Sequence, residues 1–349
     1  MSDTEIIAAG DLKKLAATAL ERSGMSPEDA ATTAHHLVIM DLMGVSTHGV
    51  HRLGQYIDRL KAGAVEARAD IRVEDKGPAL AVVDGGDGQG QVVGQRALDL
   101  AMEKCKATGL SFVTVRGSSH FGGTASYALE AVRSGLILLS GTGASPALAP
   151  FGGRDMKVGN NPFGFAAPGA LANPQTGPLP FILDMAQSVA ARGKMRKLRD
   201  AGEPMPLGWA LDADGNPTTD PQAGLDGFIQ FMGGHKGYGM ALMVDIMCGL
   251  LSGGVFLDDS KDMWNSDDPQ PQRTTHFFLA IDPARLLTPS EYDPRMADFQ
   301  GRIKSTAPFA EGGKVFLPGE IELTLMAERE QTGIPMPAET LATARALAS

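Results

Sequence analysis

Asp84-Gly85-Gly86-Asp87-Gly88-Gln89-Gly90-Gln91-Val92-Val93-Gly94 is the stretch on which the fold assignment turns. It follows an apolar run at residues 79–84 that reads as a strand, and it leads into residues 92–107, which read as a helix. A glycine-rich turn between strand and helix is where a Rossmann dinucleotide fingerprint stands. Here the spacing Gly88-x-Gly90-x-x-x-Gly94 is one residue too long at its end. The next strand ends Thr114-Val115-Arg116, with no acid placed to bind a ribose. The glycines are therefore read as a structural turn, because a glycine pattern without its context is weak evidence for a phosphate cradle.

Outward from this turn the chain alternates. Residues 110–115 read as a strand, 124–133 as a helix, 136–140 as a strand, 181–184 as a short strand, 192–199 as a basic helix and 275–281 as a strand. That alternation indicates an α/β layer architecture. The first 63 residues read as helical, with Ser26-Pro27-Glu28-Asp29 as a helix start carrying an N-cap serine and proline at N1. Residues 236–251 are nearly all apolar and small, which predicts a buried central helix. Residues 260–273 are polar and predict a surface loop, and two more helices are expected after Gly319 and from Pro337.

Composition bounds the function. The 349 residues suit two or three sub-domains, and 43% hydrophobic with 21% charged residues is ordinary globular usage. A net charge of −10 argues against a nucleic-acid or anionic-membrane surface. There is no apolar run of about 18 residues that would cross a membrane, and no signal-peptide pattern is visible. The two cysteines, Cys105 and Cys248, form no C-x-x-C pair and no zinc spacing, so reduced thiols in a cytoplasmic protein without a metal are expected.

Chemistry concentrates in a second stretch, Gly44-Val-Ser-Thr-His-Gly-Val-His-Arg-Leu-Gly-Gln-Tyr56. His48, Arg52 and Tyr56 are spaced i, i+4, i+8, which on a helix keeps them within roughly 80° of one face. An imidazole beside a guanidinium fork is what reduction of a 2-oxo acid needs: a titratable acid/base and a carboxylate binder. Ser118 to Thr124 lies between a strand and a helix, where backbone N–H groups make an anion site, and an ordinary capped helix start explains it equally well. Asn160 stands in a turn, Asp184 ends a strand, Arg192 and Lys194 open the basic run, and Lys236 sits at a helix N-terminus against the macrodipole, which suggests an anionic partner. Arg116 and Arg192 are candidates for a 2′-phosphate, and neither is placed by sequence.

Taken in order, Gly44 to Arg52, Ser119-His-Phe-Gly122, Gly159-Asn-Asn-Pro162, Leu183-Asp-Met-Ala186, Gly193-Lys194, His235-Lys-Gly-Tyr-Gly239 and Pro318-Gly-Glu320 resemble the malate/L-lactate dehydrogenase family that is unrelated to the Rossmann-type enzymes. That family includes ureidoglycolate, sulfolactate and diketogulonate oxidoreductases and cyclic ketimine (piperideine/pyrroline-2-carboxylate) reductases. The resemblance spans about residues 10 to 335. It implies an α/β fold with a mixed-sheet, non-Rossmann NAD(P)-binding domain and a helical domain built from both chain ends. The expected division is residues 1–70 with 319–349 as the helical, substrate-binding domain, 71–117 with about 300–318 as a connecting α/β domain, and 118–299 as the NAD(P)-binding domain.

The resemblance also implies a homodimer that uses NAD or NADP on a small 2-hydroxy or 2-oxo acid. His48 would be the proton donor or acceptor, with Thr47 as its hydroxyl neighbour and His120 as a rival base. Arg52, Tyr56, Asn160 and Arg192 would face the substrate. His120, Phe121, Gly122, Gly123, Thr124, Asp184, Met185, Ala186, Lys194, His235, Lys236, Gly319 and Glu320 would hold the cofactor. Ketimine reductases tend to carry an acid where this chain has Lys194, which favours the oxo acid, whereas Ala191-Arg192-Gly193 is ketimine-reductase-like. A cyclic ketimine reductase is thus the alternative enzyme, and a catalytically silent nucleotide-binding protein the alternative of another class.

Overall fold

The computed structural model describes residues 4–264 and 268–349. Residues 265–267, inside the loop expected at 260–273, lie outside it. The chain opens with a short strand that the helical reading of residues 1–63 did not include, β1 (Thr4–Ile7), followed by α1 (Ala9–Arg22) and α2 (Pro27–Leu42). The Ser26 side chain accepts from the Asp29 amide with Pro27 at N1, so the start signal in the sequence is the start in the structure. After two 3-10 turns, α3 (Leu53–Lys61) completes this segment.

Next come β2 (Arg72–Gly77), β3 (Leu80–Asp84), α4 (Gly90–Thr108), β4 (Leu110–Ser118), α5 (Thr124–Arg133) and β5 (Ile137–Thr142). A short hairpin, β6 (Pro146–Leu148) with β7 (Val158–Gly159), precedes β8 (Phe163–Ala167) and β9 (Phe181–Met185). A small outer unit follows: α6 (Arg192–Ala201), β10 (Ala210–Leu211), β11 (Pro217–Thr218), α7 (Pro221–Asp226) and β12 (Phe228–Ile229). Then α8 (His235–Asp245) widens into a π turn at Ile246–Leu250, and β13 (Thr274–Ile281), α9 (Pro289–Lys304), α10 (Glu320–Thr332), β14 (Ile334–Pro337) and α11 (Ala338–Ala348) finish the chain.

Seven strands form one mixed sheet in the order β2-β3-β4-β13-β5-β8-β9. β3 and β4 run parallel, and the other described pairings are antiparallel. One face is covered by α4 and α5 through a core that includes Val83, Leu98, Val113, Phe121, Tyr127 and Phe278. The other face carries the second half of α8 and the π turn, packed through Val244 and Cys248 on Phe163 and Phe277. The boundary expected at 117/118 falls inside β4, and the sheet is continuous across it. Residues 300–304 belong to α9, whose Tyr292, Asp293 and Gln300 bind backbone of the 168–179 segment, not the 71–117 unit.

The two chain ends meet. β1 pairs antiparallel with β14, and Leu12, Leu20 and Leu37 share a core with Met326, Ile334 and Leu341. The same core reaches Ala125, Ala128 and Val132 of α5 and Ile182 of β9, which docks the helical layer on the sheet edge. His36 reinforces the dock: its two ring nitrogens lie 2.9 Å from Ser126 Oγ and 2.8 Å from Gln95 Oε1, and burial holds its pKa down to about 4.

The apolar run 236–251 departs from expectation. Met243, Ile246, Leu250 and Leu251 are exposed, so the element is buried on one side only. The 260–273 segment is anchored to α3: Gln55 Nε2 donates to the Met263 carbonyl, and Arg59 donates to the carbonyls of Asp268 and Gln270. Among the described residues no helix is long and apolar enough to cross a membrane.

The glycine-rich turn is structural. Asp84 accepts from the Gly86 amide and pairs with Arg116, and the Asp87 amide donates to the Gly117 carbonyl. Gly90 lies against the next chain segment, where its amide donates to Ser119 Oγ at 2.8 Å and a Cβ would overlap the backbone of Ser119 and His120. Gly90→Ala is therefore expected to lower stability by about 1–3 kcal/mol through overpacking. Gly239→Ala, on α8 with open space around its Cα, is expected to be neutral or slightly stabilising. Denaturant melts of the two variants check this, and equal stabilities would count against a packing role for Gly90.

Candidate active site

The segment 44–56 is not the single helix its spacing suggests. Ser46–His48 and Val50–Arg52 are separate 3-10 turns, broken at Gly49, which is extended at φ −90° and ψ −158°. Asp41, in the last turn of α2, makes the break. Its Oδ2 accepts from the Val50 amide at 2.7 Å, and its Oδ1 is buried without a partner among the described residues. A Cβ at Gly49 would overlap the carboxylate, so only glycine passes over it. Arg329 of α10 donates to the Asp41 backbone carbonyl and ties the turn to the C-terminal segment.

On this support Thr47 is exposed and His48 half-buried. Thr47 Oγ1 lies 3.2 Å from His48 Nδ1. Burial lowers the His48 pKa, Asp184 opposes that, and Arg52 adds to it. Arg52 donates through Nε to the Thr47 carbonyl at 2.7 Å and through Nη1 to Gln55 Oε1 at 3.0 Å, and it lies 4.6 Å over the Trp264 ring. Its Nε proton and one Nη1 proton are thus engaged within the protein, so the fork expected from sequence has Nη2 and the second Nη1 proton left to offer. Tyr56 does not face a ligand: it is 3% exposed and backs His120, with its hydroxyl 2.7 Å from His120 Nδ1.

A cleft of about 570 Å³ opens between the helical layer and the sheet edge. Its walls bring together Thr47, His48, Gly122, Gly123, Thr124, Asn160, Asp184, Met185, Ala186 and Gly319 from the sequence reading. The reading did not single out the apolar part of the wall, notably Val45, Ile182, Leu183, Phe316 and Ile321. Such residues carry no local signal, because an apolar residue in a wall and one in a core look alike in sequence. Asn160 Oδ1 accepts from the Ser188 amide at 2.9 Å, which orients its side chain.

Asp184 changes the reading of the α5 N-terminus. Its Oδ2 accepts from the Ala125 amide at 3.0 Å, so the protein's own carboxylate occupies the anion position suggested for a phosphate. His120 stacks on His48 with centroids 5.6 Å apart and planes 19° from parallel. Phe121 is fully buried, stacked at 4.3 Å on His276, and belongs to the core instead of the cofactor contacts.

Several expected ligand residues are not among the cleft walls. Arg192 donates to the Leu225 carbonyl, and Lys194, His235 and Lys236 are exposed elsewhere. Glu320 pairs with Lys304 and accepts from the Leu317 amide, which braces the Gly319 turn. Arg116 is held by Glu74 and Asp84, so a 2′-phosphate would have to displace two carboxylates. Among the described residues no group of three His, Cys, Asp or Glu could hold a metal ion.

Asp41 gives a pH signature. Burial raises its pKa to about 7, against the lowering effects of the Val50 amide and Arg329. A carboxyl whose pKa is raised on folding contributes stability that is full below about pH 4 and lost as pH climbs to about 7. D41N keeps an acceptor for Val50 and removes the titration. Relative to D41N, the wild-type melting temperature is expected to fall between about pH 4 and pH 7 and then level off. Thermal melts across that range check this, and a gap independent of pH would assign the titration to another group.

The chain matches the malate/L-lactate dehydrogenase family over residues 7–344. It is 39% identical over 325 residues to malate dehydrogenase of Pyrococcus horikoshii, covering 91% of this chain and 87% of that one. Its fold superposes on sulfolactate dehydrogenase from Methanocaldococcus jannaschii with a TM-score of 0.90 at 34% identity, covering 98% of this chain and 96% of that one. It also superposes on a Δ1-piperideine-2-carboxylate reductase from Pseudomonas syringae with a TM-score of 0.86 at 28% identity, covering 99% and 100%. The chain belongs to the malate/L-lactate dehydrogenase family.

Proposed function

We propose that this member of the malate/L-lactate dehydrogenase family is an NAD(P)-dependent oxidoreductase that interconverts a small 2-hydroxy acid and its 2-oxo acid. The observation that carries the reading is the setting of His48. It is a half-buried imidazole in the wall of a cleft, with Nδ1 beside a hydroxyl and a lowered pKa.

The cleft suits the uncharged parts of a nicotinamide nucleotide. Thr124 Oγ1 is buried in its wall without a hydrogen-bond partner among the described residues. Asp184 offers a second oxygen to a ribose hydroxyl or carboxamide NH2. When bound, the nicotinamide exchanges hydride at its C4. His48 is neutral in the free enzyme near neutral pH and accepts the hydroxyl proton as the hydroxy acid is oxidised. In reduction it returns that proton to the C2 oxygen. Thr47 at Nδ1 orients the ring, and Arg52 offers Nη2 to the substrate carboxylate while its Nε holds the Thr47 carbonyl and its Nη1 is fixed by Gln55. The likeness to a piperideine-2-carboxylate reductase favours a cyclic ketimine as the second substrate class, with the proton going to nitrogen.

His48→Ala is expected to lower kcat/KM by 10²–10⁴-fold, the usual worth of a general acid–base, while NAD(P)H binding by fluorescence is retained. For the wild type, oxidative kcat/KM is expected to stay level at about pH 6.5 and to fall below it, because the neutral imidazole is the active form. A loss smaller than about tenfold would move the role elsewhere. A panel of pyruvate, oxaloacetate and piperideine-2-carboxylate with NADH and NADPH separates the substrate classes. Cofactor binding with no turnover on any of them would favour the silent nucleotide-binding protein.

The exposed row Met243, Ile246, Leu250 and Leu251 supports a homodimer that covers it. Leu250→Glu is expected to shift the sedimentation profile toward monomer, and a profile unchanged from wild type would place any dimer contact elsewhere. Both thiols are buried and unpaired, which supports a reducing, cytoplasmic setting.

A further inference from the structure

His48 and His120 present two stacked imidazoles where the reaction exchanges one proton. What stands behind His120 distinguishes them. The buried Tyr56 hydroxyl, 2.7 Å from His120 Nδ1, also accepts from Gln91 Nε2 at 3.0 Å. Gln91 Oε1 in turn accepts from Gln89 Nε2 at 2.6 Å. Gln89, Gln91 and Tyr56 are 2%, 0% and 3% exposed, so solvent does not substitute for these partners. An amide NH2 only donates, and a hydroxyl has one proton. With Gln91 donating into the Tyr56 oxygen, the Tyr56 proton goes to His120 Nδ1, and the neutral ring carries its own proton on Nε2.

We propose that Gln89, Gln91 and Tyr56 form a one-way hydrogen-bond relay that locks His120 as a neutral Nε2–H donor, leaving His48 as the histidine that exchanges the proton. Gln91 and Tyr56 are positioning residues acting through His120. The assignment of the proton to His48 rests on the proposed dehydrogenase chemistry, whereas the tautomer of His120 is a property of the free protein. Protonating His120 at Nδ1 would force the Tyr56 oxygen to take two donors and strand the Tyr56 proton in a buried site. The titratable and charged groups acting on His120, namely His48, Arg52 and His276, all disfavour a second proton there, as does burial. His276 is itself held between Thr142 Oγ1 and Ser118 Oγ, each 2.8 Å away. Among the described residues His120 Nε2 has no hydrogen-bond partner, so it is left for a substrate or cofactor oxygen.

Q91E reverses the relay, because a carboxylate only accepts. The Tyr56 proton then turns to residue 91, and His120 must donate from Nδ1. The readout is the ¹⁵N imidazole spectrum of the free protein across about pH 5–9, assigned with H120Q, together with kcat/KM against pH. Expected for wild type is a protonated Nε2, a bare Nδ1 and no His120 titration in that range. Expected for Q91E is a protonated Nδ1, a His120 titration entering the range, and kcat/KM lower by about tenfold or more with an altered pH profile. If Q91E does not fold, Y56F removes the donating proton and is expected to depopulate the Nε2–H form. A wild-type His120 protonated at Nδ1 or titrating near its ordinary pKa overturns the relay, as does an unchanged tautomer in the folded variants. Wild-type protein with the expected tautomer but no turnover on any oxo acid or ketimine upholds the relay and counts against the proposed function.

Discussion

One hydrogen bond, from the Val50 amide to the buried carboxylate of Asp41, gives the 44–56 segment its shape. Without it the chain leaving α2 would be a glycine-containing connection with no regular helix to define it. With it, Gly49 is pressed onto the carboxylate, the two 3-10 turns flank that contact, and Arg52 closes the first turn by binding the Thr47 carbonyl. The arrangement places His48 on a support made by neighbouring elements instead of on a helix face. It also burdens the protein with a carboxyl group that burial disfavours in its charged form.

Much of the fold was legible because its signals are local. The Ser26-Pro27 start, the apolar strands of the sheet and the helix at 124–133 follow from capping and periodicity. The glycine-rich turn at 84–94 was legible by what it lacked, and its contacts with the 116–120 segment show what the glycines are for. β1 was missed because a four-residue strand whose partner lies more than 300 residues away has no local signature. The length of the exposed side of α8 was missed because apolar composition states only that a surface avoids water, not that this chain alone covers it.

The site divides in the same way. His48, Thr47, Asn160, Asp184 and the Gly122–Thr124 turn meet in one cleft, as their chemistry suggested. Arg192, Lys194, His235 and Lys236 lie outside the cleft walls for a common reason: a cation in sequence has no address, and these lie on the outer unit or at the exposed start of α8. Tyr56, Gln91 and Asp41 show the opposite failure. Their importance lies in which atom donates to which, and that is set by contacts between residues up to 64 positions apart.

The pairing of β1 with β14 also orders events in time. During synthesis the sheet strands up to β13 can find one another while the last segment is still unmade. The wall of the cleft formed by Phe316 to Leu323 faces His48 from the far end of the sequence, and Arg329 secures the turn beneath it. A growing chain therefore has His48 early and a closed cleft only when the final helices dock. The cleft takes part of its wall from the last segment to be made, so a chain cut short in translation holds only part of it.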